Sequence, residues 1–490
     1  MQKKESNIPF WPVMTAIFFG SFLAILGIST ISVAIPVLME QFHAGLSTVQ
    51  WTMTGFMLAT GVVAPVTGYL GERFSTKYLF MVALIGFTLM SLLCAFAWNV
   101  ESLIVFRIMQ GIFSGIVMPV TMTIIYQVIP RDKQPFALSV WTLSTMLAPA
   151  FGPTLAGWLI EAFTWKWLFL MNVPFGIASV LVAWRLIPYY KLRTPKTFDL
   201  LGLLTVILSS GSLLVAISEA HIWGWSSWRT LSLFAFGMAM LGIFIRRELS
   251  VPEPLLNLKV LANRKFTISL IVAVVITISL YSGVYLTPVF LQNIQQASAL
   301  DTGLILLPAS LAMAVSMPII GKLYVRVAPQ WLIASGISLI AIGTLAMGRL
   351  DVNISHGYIM LWMMVRNIGI SLSIMPITNL GMEAIPKELS GHASSVNNWI
   401  RQVFGSFSIA LFTSLLASRM TLHTEALGLD GAVEAQRKLL EAEAFTMSSN
   451  DVYIVAMLIV LAGLPFVWML NEGKRRKTSQ TNKRLKQSSL

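Results

Sequence analysis

The sequence predicts an all-α polytopic membrane protein with two six-helix bundles plus two inserted helices, 14 transmembrane helices in all. Three observations carry this. Of 490 residues, 56% are hydrophobic and 11% charged, whereas a soluble protein carries about 25% charged residues. Apolar runs recur along the chain, each near the ~20 residues that cross a hydrocarbon core about 30 Å thick. Lysine and arginine gather in alternate loops, the bias that orients membrane helices.

Taken in order, the spans fall at roughly 12–36, 48–70, 78–98, 102–129, 136–160, 167–188, 200–219, 229–246, 266–292, 302–322, 331–349, 357–381, 391–418 and 451–471. With the amino terminus in the cytoplasm, the inward loops hold Arg73, Lys77, Arg131, Lys133, Lys191, Arg193, Lys196, Arg246, Arg247, Arg264, Lys265, Lys322, Arg326 and Lys387. The outward loops hold only Lys166, Arg229, Arg349, Arg419, Arg437 and Lys438. Dropping one span would invert every later loop and spoil this asymmetry. Both termini are therefore expected in the cytoplasm, with the chain in the cell (plasma) membrane. The short basic start, Lys3 and Lys4, leads into a first span without a small-residue cleavage site before its end, so that span is expected to be retained. The net charge of +13 lies between spans rather than in one patch, which excludes nucleic acid as a partner. Cys94 is the lone cysteine. It has no disulfide partner within the chain and reads as a small core hydrophobe.

An internal repeat divides the chain. Met118-Pro119-Val120-Thr121 followed by Ile129-Pro130 echoes Met375-Pro376-Ile377-Thr378 followed by Ile385-Pro386, each with an upstream arginine, Arg107 or Arg366. The copies are separated by more chain than six spans need, so two spans are inserted between the halves. The expected organisation is an N-terminal bundle (1–190), two inserted helices with their linkers (191–262), a C-terminal bundle (263–471) and a basic cytoplasmic tail (472–490). Duplicated halves with a substrate site between them are a recurrent carrier design. The outward segment 419–450 reads as a solvated cap, with a short amphipathic helix over 433–441.

No catalytic or metal-binding constellation is present. The five histidines are scattered, and neither a His-Glu-x-x-His, a Gly-x-Ser-x-Gly nor a P-loop pattern occurs. The chain is expected to be no enzyme and to need no metal or cofactor. Intramembrane charge is costly and usually functional or paired, which singles out Arg107, with Gln110 one turn away, and Arg366 and Arg401 as residues expected to border a central cavity. Gly68, Glu72, Arg73 and Lys77 lie in a short turn whose glycine permits close helix approach, and whose charges can hold neighbouring helix ends. That turn reads as a conformational latch. The run Ala148-Pro149-Ala150-Phe151-Gly152-Pro153-Thr154-Leu155-Ala156-Gly157 reads as a bent, tightly packed helix, because Pro149, Gly152, Pro153 and Gly157 weaken helical hydrogen bonding. Asp199, Glu248 and Glu253 read as solvated residues of inward loops.

These residues together resemble the major facilitator superfamily, and more narrowly its fourteen-span drug:proton antiporters of the EmrB/QacA type, along the whole chain. Gly68 to Lys77 matches the superfamily's loop motif, with Glu72 for the usual aspartate and Ser75 for the usual second glycine. Arg107-x-x-Gln110-Gly111 matches the fourth-span motif. Gly152-Pro153-x-x-Ala156-Gly157 matches the antiporter motif. The run from Trp165 to Gly176 matches a pattern particular to the fourteen-span group, with Lys166 for arginine. The resemblance implies a major-facilitator fold and multidrug efflux of small amphipathic substrates by alternating access, coupled to protons. One departure stands out: Gly27 replaces the family's first-span aspartate, and no other carboxylate lies mid-span. Glu161 and Glu219, ahead of Glu40 and Asp301, are then the carboxylates left for proton coupling. The missing acid also opens a second reading, export of anionic or lipid-like substrates with atypical or no proton coupling, and a third, a non-transporting sensor or assembly component.

Overall fold

The computed structural model describes residues 10–189, 199–252, 254–428 and 434–470. Lys3, Lys4, Lys191, Arg193, Lys196, Glu253, Val433 and the basic tail lie outside them, as do the side chains of Glu72, Pro149, Pro153 and Glu161. The described residues form helices joined by short turns. In chain order these are α1 (Phe10–Ser29), α2 (Ile31–Phe42), α3 (Leu46–Val63), α4 (Thr67–Phe74), α5 (Thr76–Ala95), α6 (Val100–Val128), α7 (Gln134–Ala162), α8 (Trp167–Leu170) and α9 (Asn172–Leu186). Next come α10 (Leu200–Trp223), α11 (Trp228–Ser250), α12 (Arg264–Asn293), α13 (Ala299–Leu323), α14 (Pro329–Met347), α15 (His356–Glu383), α16 (Ser390–Ala426), α17 (Glu434–Leu461) and α18 (Leu464–Trp468). Among the described residues, 13 segments are long and apolar enough to cross a membrane. The 29-residue α7 lies between the fourth and fifth of them.

Polar residues at the turns set the helix starts. Asn99 and Ser102 form a reciprocal capping box at α6, and the side chains of Asp199, Ser227, Asn263, Ser298 and Ser355 accept from the first-turn amides of α10, α11, α12, α13 and α15. Each satisfies a donor that the helix itself leaves orphaned.

Two breaks were not foreseen. The first span is two helices, α1 and α2, parted at Thr30, whose hydroxyl and amide both bond the Leu26 carbonyl at 3.0 and 3.1 Å. The run Ser29-Thr30-Ile31-Ser32-Val33 is rich in hydroxyl and β-branched side chains, which compete with or crowd helical geometry. The second span is interrupted by a 3-10 turn over Ala64–Val66, at Pro65. The expected outward loop is also shorter than foreseen. Helix α16 continues to Ala426 and α17 begins at Glu434, so most of 419–450 is helix, tied across by His423 Nε2 to Asp451 Oδ2 at 3.0 Å.

The first half packs α3 on α6, α5 on α6 and α9, and α1 on α7 and α9. The second packs α14 and α13 on α15, with α12 on α15, α16 and α17. Helices α10 and α11 pair with one another, and α10 leans on both α3 and α16. Without a hydrophobic drive between helices in lipid, close approach depends on small residues. A Cβ on Gly111 would lie 2.4 Å from the Phe56 carbonyl oxygen. Gly336 and Gly369 face each other, each with its Cβ position 2.6–2.7 Å from the other's carbonyl oxygen. A Gly369→Ala substitution is therefore expected to push α14 from α15 at a cost of about 1–3 kcal/mol, read as a lower melting temperature of the purified protein in detergent.

Candidate functional site

Arg107 is sealed inside the first half, with 1% of its surface exposed. Its Nε donates to the Thr52 carbonyl at 2.9 Å and Nη1 to Gln110 Oε1 at 2.8 Å, and Gln110 in turn donates to Ser91 Oγ. The Phe56 ring lies under the guanidinium, 4.2 Å from its carbon to the ring centroid. Nη2 is buried and no protein group accepts from it. Gly27 faces this group: a Cβ there would sit 3.8 Å from Nη1, and 3.3 Å from the Phe87 ring. The position where the family pattern carries its acid thus adjoins the arginine, and Phe87 takes up part of the space.

The second half repeats the device. Arg366 is fully buried on α15. Nη2 donates to the Ser279 carbonyl and to Ser282 Oγ (3.0 Å), and Nε to Thr344 Oγ1 at 3.3 Å. Gly283 on α12 leaves its guanidinium room, since a Cβ there would overlap Nη1. A glycine on the first helix of each half faces an arginine on the fourth. The repeat read from the proline motifs therefore extends to this pair, and Pro119 and Pro376 both lie inside long helices as it requires.

Both arginines were expected to border a central cavity, and this is corrected: each is enclosed by helices of its own half. Two small clefts open between the halves, lined by Gly68, Thr123, Gln127 and Gly391 in one, and by Tyr126, Arg131, Glu383 and Lys387 in the other. Neither reaches Arg107 or Gly152. Arg401 fits the expectation better. It is half-buried, its Nε lacks a partner, and the next residue, Gln402, reaches Gly61 of α3, within 3.1 Å of its Cβ position.

The halves meet most extensively where α7 packs on α13, with α16 against α4 and α6 beside them; at the end where α1 begins, here termed the basic end, small residues bring the two backbones close. The Cβ position of Gly68 lies 3.2 Å from the Gly391 carbonyl oxygen and from Ser395 Oγ, so α4 meets the start of α16 almost backbone to backbone. Ser394 Oγ donates to the Pro119 carbonyl at 2.8 Å, and the amides of Asn397 and Asn398 reach Met122 Sδ at 3.8 and 3.7 Å. Tyr126 reaches Asn379 at 3.4 Å, and Asn379 donates to Glu383 Oε1 at 2.6 Å. Tyr324 also donates to Glu383, at 3.4 Å, and burial pushes its phenol well above the ordinary tyrosine value. Sequence reading missed this cluster, although the four-residue spacing of Asn379 and Glu383 on one helix face signals it. Gly321 meets α7, its Cβ position 3.1 Å from the Phe136 Cα.

Within the latch, the roles differ from expectation. Gly68 makes the cross-half contact, while the cations hold their own half: Arg73 Nη1 bonds the Tyr69 hydroxyl at 3.0 Å and Lys77 Nζ bonds the Trp184 carbonyl at 2.6 Å, at the end of α9. In the antiporter-motif run, α7 is helical throughout and Gly152 is buried. Gly157 corrects the tight-packing expectation, because a Cβ there would meet nothing within 4 Å; Ala148 and Ala156 are the fully buried small residues. Glu219 is half-buried near the far end of α10, and Glu40 is exposed. Asp301 is exposed and accepts from the capping hydroxyl of Ser298 at 2.7 Å. Asp199 and Glu248, read as solvated, are instead buried, with 5% and 3% exposed. Proximity in the fold, not chain position, brings them under cover.

Two bundles of membrane-length helices, each built around an enclosed arginine and meeting through small residues at one end, define a secondary membrane transporter. Residues 17–409 match the Major Facilitator Superfamily, and the chain belongs to that superfamily. It is 34% identical over 411 residues to an uncharacterized MFS-type transporter, YhcA, of Bacillus subtilis, covering 84% of this chain and 77% of that one. It is 29% identical to the colistin resistance protein EmrB of Acinetobacter baumannii, covering 84% and 81%, and 28% identical to the lincomycin resistance protein LmrB of Listeria monocytogenes, covering 84% and 88%. The fold is similar to that of the human organic anion transporter MFSD10 (TM-score 0.62, 13% identity, covering 92% of this chain and 99% of that one). The family is one of transporters, not of enzymes.

Ser75, between α4 and α5, has φ 79° and ψ 137°. That region is comfortable only for glycine, the residue the loop motif usually has there. Ser75→Gly is expected to stabilise the protein by about 1 kcal/mol, seen as a raised melting temperature.

Proposed function

We propose that this chain is a secondary exporter of amphipathic, lipophilic compounds, a multidrug efflux carrier that works by alternating access with protons as the coupling ion. The observation that carries the reading is the Gly68–Gly391 contact and the sparse set of hydrogen bonds around it. At that end small residues, a few hydroxyls and a methionine can part and re-form at modest cost, while the long α7–α13 contact offers a hinge for rigid-body rocking of two halves. On the positive-inside rule the basic end faces the cytoplasm with both termini, so this conformation is sealed on that side. The 1–190 and 263–471 bundles would rock, with 191–262 riding between them. The resistance proteins among its relatives favour drug-like substrates.

A specific observation favours the second reading. Arg107 is a buried cation with an unpartnered Nη2, and the residue facing it is Gly27 rather than an acid. Helices of the first half enclose this group here, so the reading requires a conformation that opens it; there nothing would offset a cationic drug, whereas an anionic or lipid-like headgroup would find a donor. Gln110 and Arg366 would then serve to keep each bundle rigid. Glu161 and Glu219 stand as the mouth carboxylates for coupling, and Arg401 as the interface cation. An accessory protein is outside this reading, and a sensor that does not transport is the third alternative.

Purified protein in liposomes under an imposed pH gradient separates these readings. Ethidium movement driven by the gradient supports drug:proton antiport, movement of the anionic dye calcein alone supports the second reading, and no movement of either overturns both. Gly27→Asp would place a carboxylate against Arg107. It is expected to raise gradient-driven ethidium transport and to lower calcein transport, by on the order of tenfold, the equivalent of about 1.4 kcal/mol.

A further inference from the structure

The inserted helix pair carries a feature that the transport reading does not use. Asp199 caps α10, accepting from the Gly202 amide at 2.9 Å, and Arg247 Nε of α11 donates to both its oxygens at 2.8 and 3.0 Å. Glu248, the next residue on α11, is 3% exposed. Its Oε2 accepts from the Leu256 amide at 2.9 Å, while Oε1 is buried without a hydrogen-bond donor or acceptor. That orphan oxygen lies beside the aspartate: Glu248 Oε1 and Asp199 Oδ2 are 2.9 and 2.8 Å from the same point, where a Cβ on Gly202 would be, and so within 5.7 Å of each other.

Two carboxylates and one arginine therefore share a buried site. The arginine and the helix amino terminus both act on Asp199, which makes it the ionised member. Among the described residues Glu248 makes no ion pair and feels Arg247 less than it feels burial and Asp199, and a second negative charge beside the first is costly out of water. A proton on Oε1 removes that charge and turns the orphan oxygen into a donor beside Asp199. We propose that Asp199 and Glu248 share one proton at the foot of the inserted helix pair, and that this proton governs how the 255–262 linker is held against α16.

The route is short. Glu248 holds the Leu256 amide, the next amide, Asn257, donates to His392 Nδ1 at 3.2 Å, and His392 lies in the first turn of α16, beside Gly391 of the gate. Among the described residues, the ionisable groups around Glu248 are Asp199 from α10, its neighbour Arg247, and His392 from α16 beyond Asn257. Loss of the proton leaves two like charges under the linker, which loosens its hold and with it the start of α16. Because the folded state binds this proton more tightly than the unfolded chain, its contribution to stability is full at acid pH and is lost as pH rises.

The test needs no substrate, so its outcome is independent of what the carrier transports. Infrared difference spectra of the purified full-length protein are recorded across pH for wild type, Glu248→Gln and Asp199→Asn, the last keeping the helix cap. A buried carboxylic-acid carbonyl band is expected in wild type, absent in Glu248→Gln and shifted in Asp199→Asn, where a neutral acceptor replaces a charged one. The melting temperature of wild type falls with rising pH, and Glu248→Gln loses that part of the slope. At matched alkaline pH, amides of 255–262 exchange faster in wild type than in Glu248→Gln. Spectra unchanged by both substitutions, or equal melting slopes or equal exchange in wild type and Glu248→Gln, overturn the proposal. Should Glu248→Gln not fold, the Asp199→Asn spectrum decides alone: a shifted band sustains the proposal and an unmoved one ends it.

Discussion

Each half is organised by the need to solvate a guanidinium where water is scarce. An arginine in a low-dielectric interior is tolerated only if its donors are met. Here they are met by neutral groups: a backbone carbonyl and a glutamine around Arg107, a backbone carbonyl and hydroxyls around Arg366. That requirement sets which helices approach. Thr52 brings α3 to α6, and Ser279 brings α12 to α15, while Gly283 leaves room for the Arg366 group. The enclosed arginines therefore act first as internal struts. The unmatched Nη2 of Arg107 is where that role leaves chemistry to spare.

The struts explain why the halves are rigid, and the small residues explain why the joint between them is not. Gly68 against Gly391, and Gly321 against α7, give backbone proximity within a seam along which α7 and α13 also pack. Hydrogen bonds such as Ser394 to Pro119 are single and neutral. Strong pairing is directed inward instead, as Lys77 shows by holding α9 of its own half. A protein that must separate two surfaces repeatedly gains from keeping its charged pairing inside the bundles and leaving only neutral hydrogen bonds of this kind at the basic end of the seam.

Much of this was legible in the sequence because it is written in periodic or local signals. Apolar length marks the spans, and the paired Met-Pro motifs mark the repeat. Arg107 and Gln110, one turn apart, announce their contact. What was not legible depends on distance in the fold. Asp199 and Glu248 look like loop residues until α10 and α11 fold back and the linker covers them. Glu383 looks like the polar end of a span until Tyr126 arrives from the other half. The break at Thr30 arises from competing hydroxyl bonds that hydropathy does not register. Gly157 is the converse, a motif glycine whose Cβ position meets open space.

The length of α16 has a mechanical consequence. At about 1.5 Å per residue, its 37 residues form a rod of roughly 55 Å, well beyond the ~30 Å of the hydrocarbon core. One tip rests on the gate glycines and the other, tethered to Asp451 through His423, stands past the opposite surface. A tilt of about 5° at the pivot would sweep the far tip, and the part of α17 tied to it, by ~5 Å. The protruding end is thus a lever arm, and an antibody fragment clamped on it would brake the transport cycle without touching the substrate path.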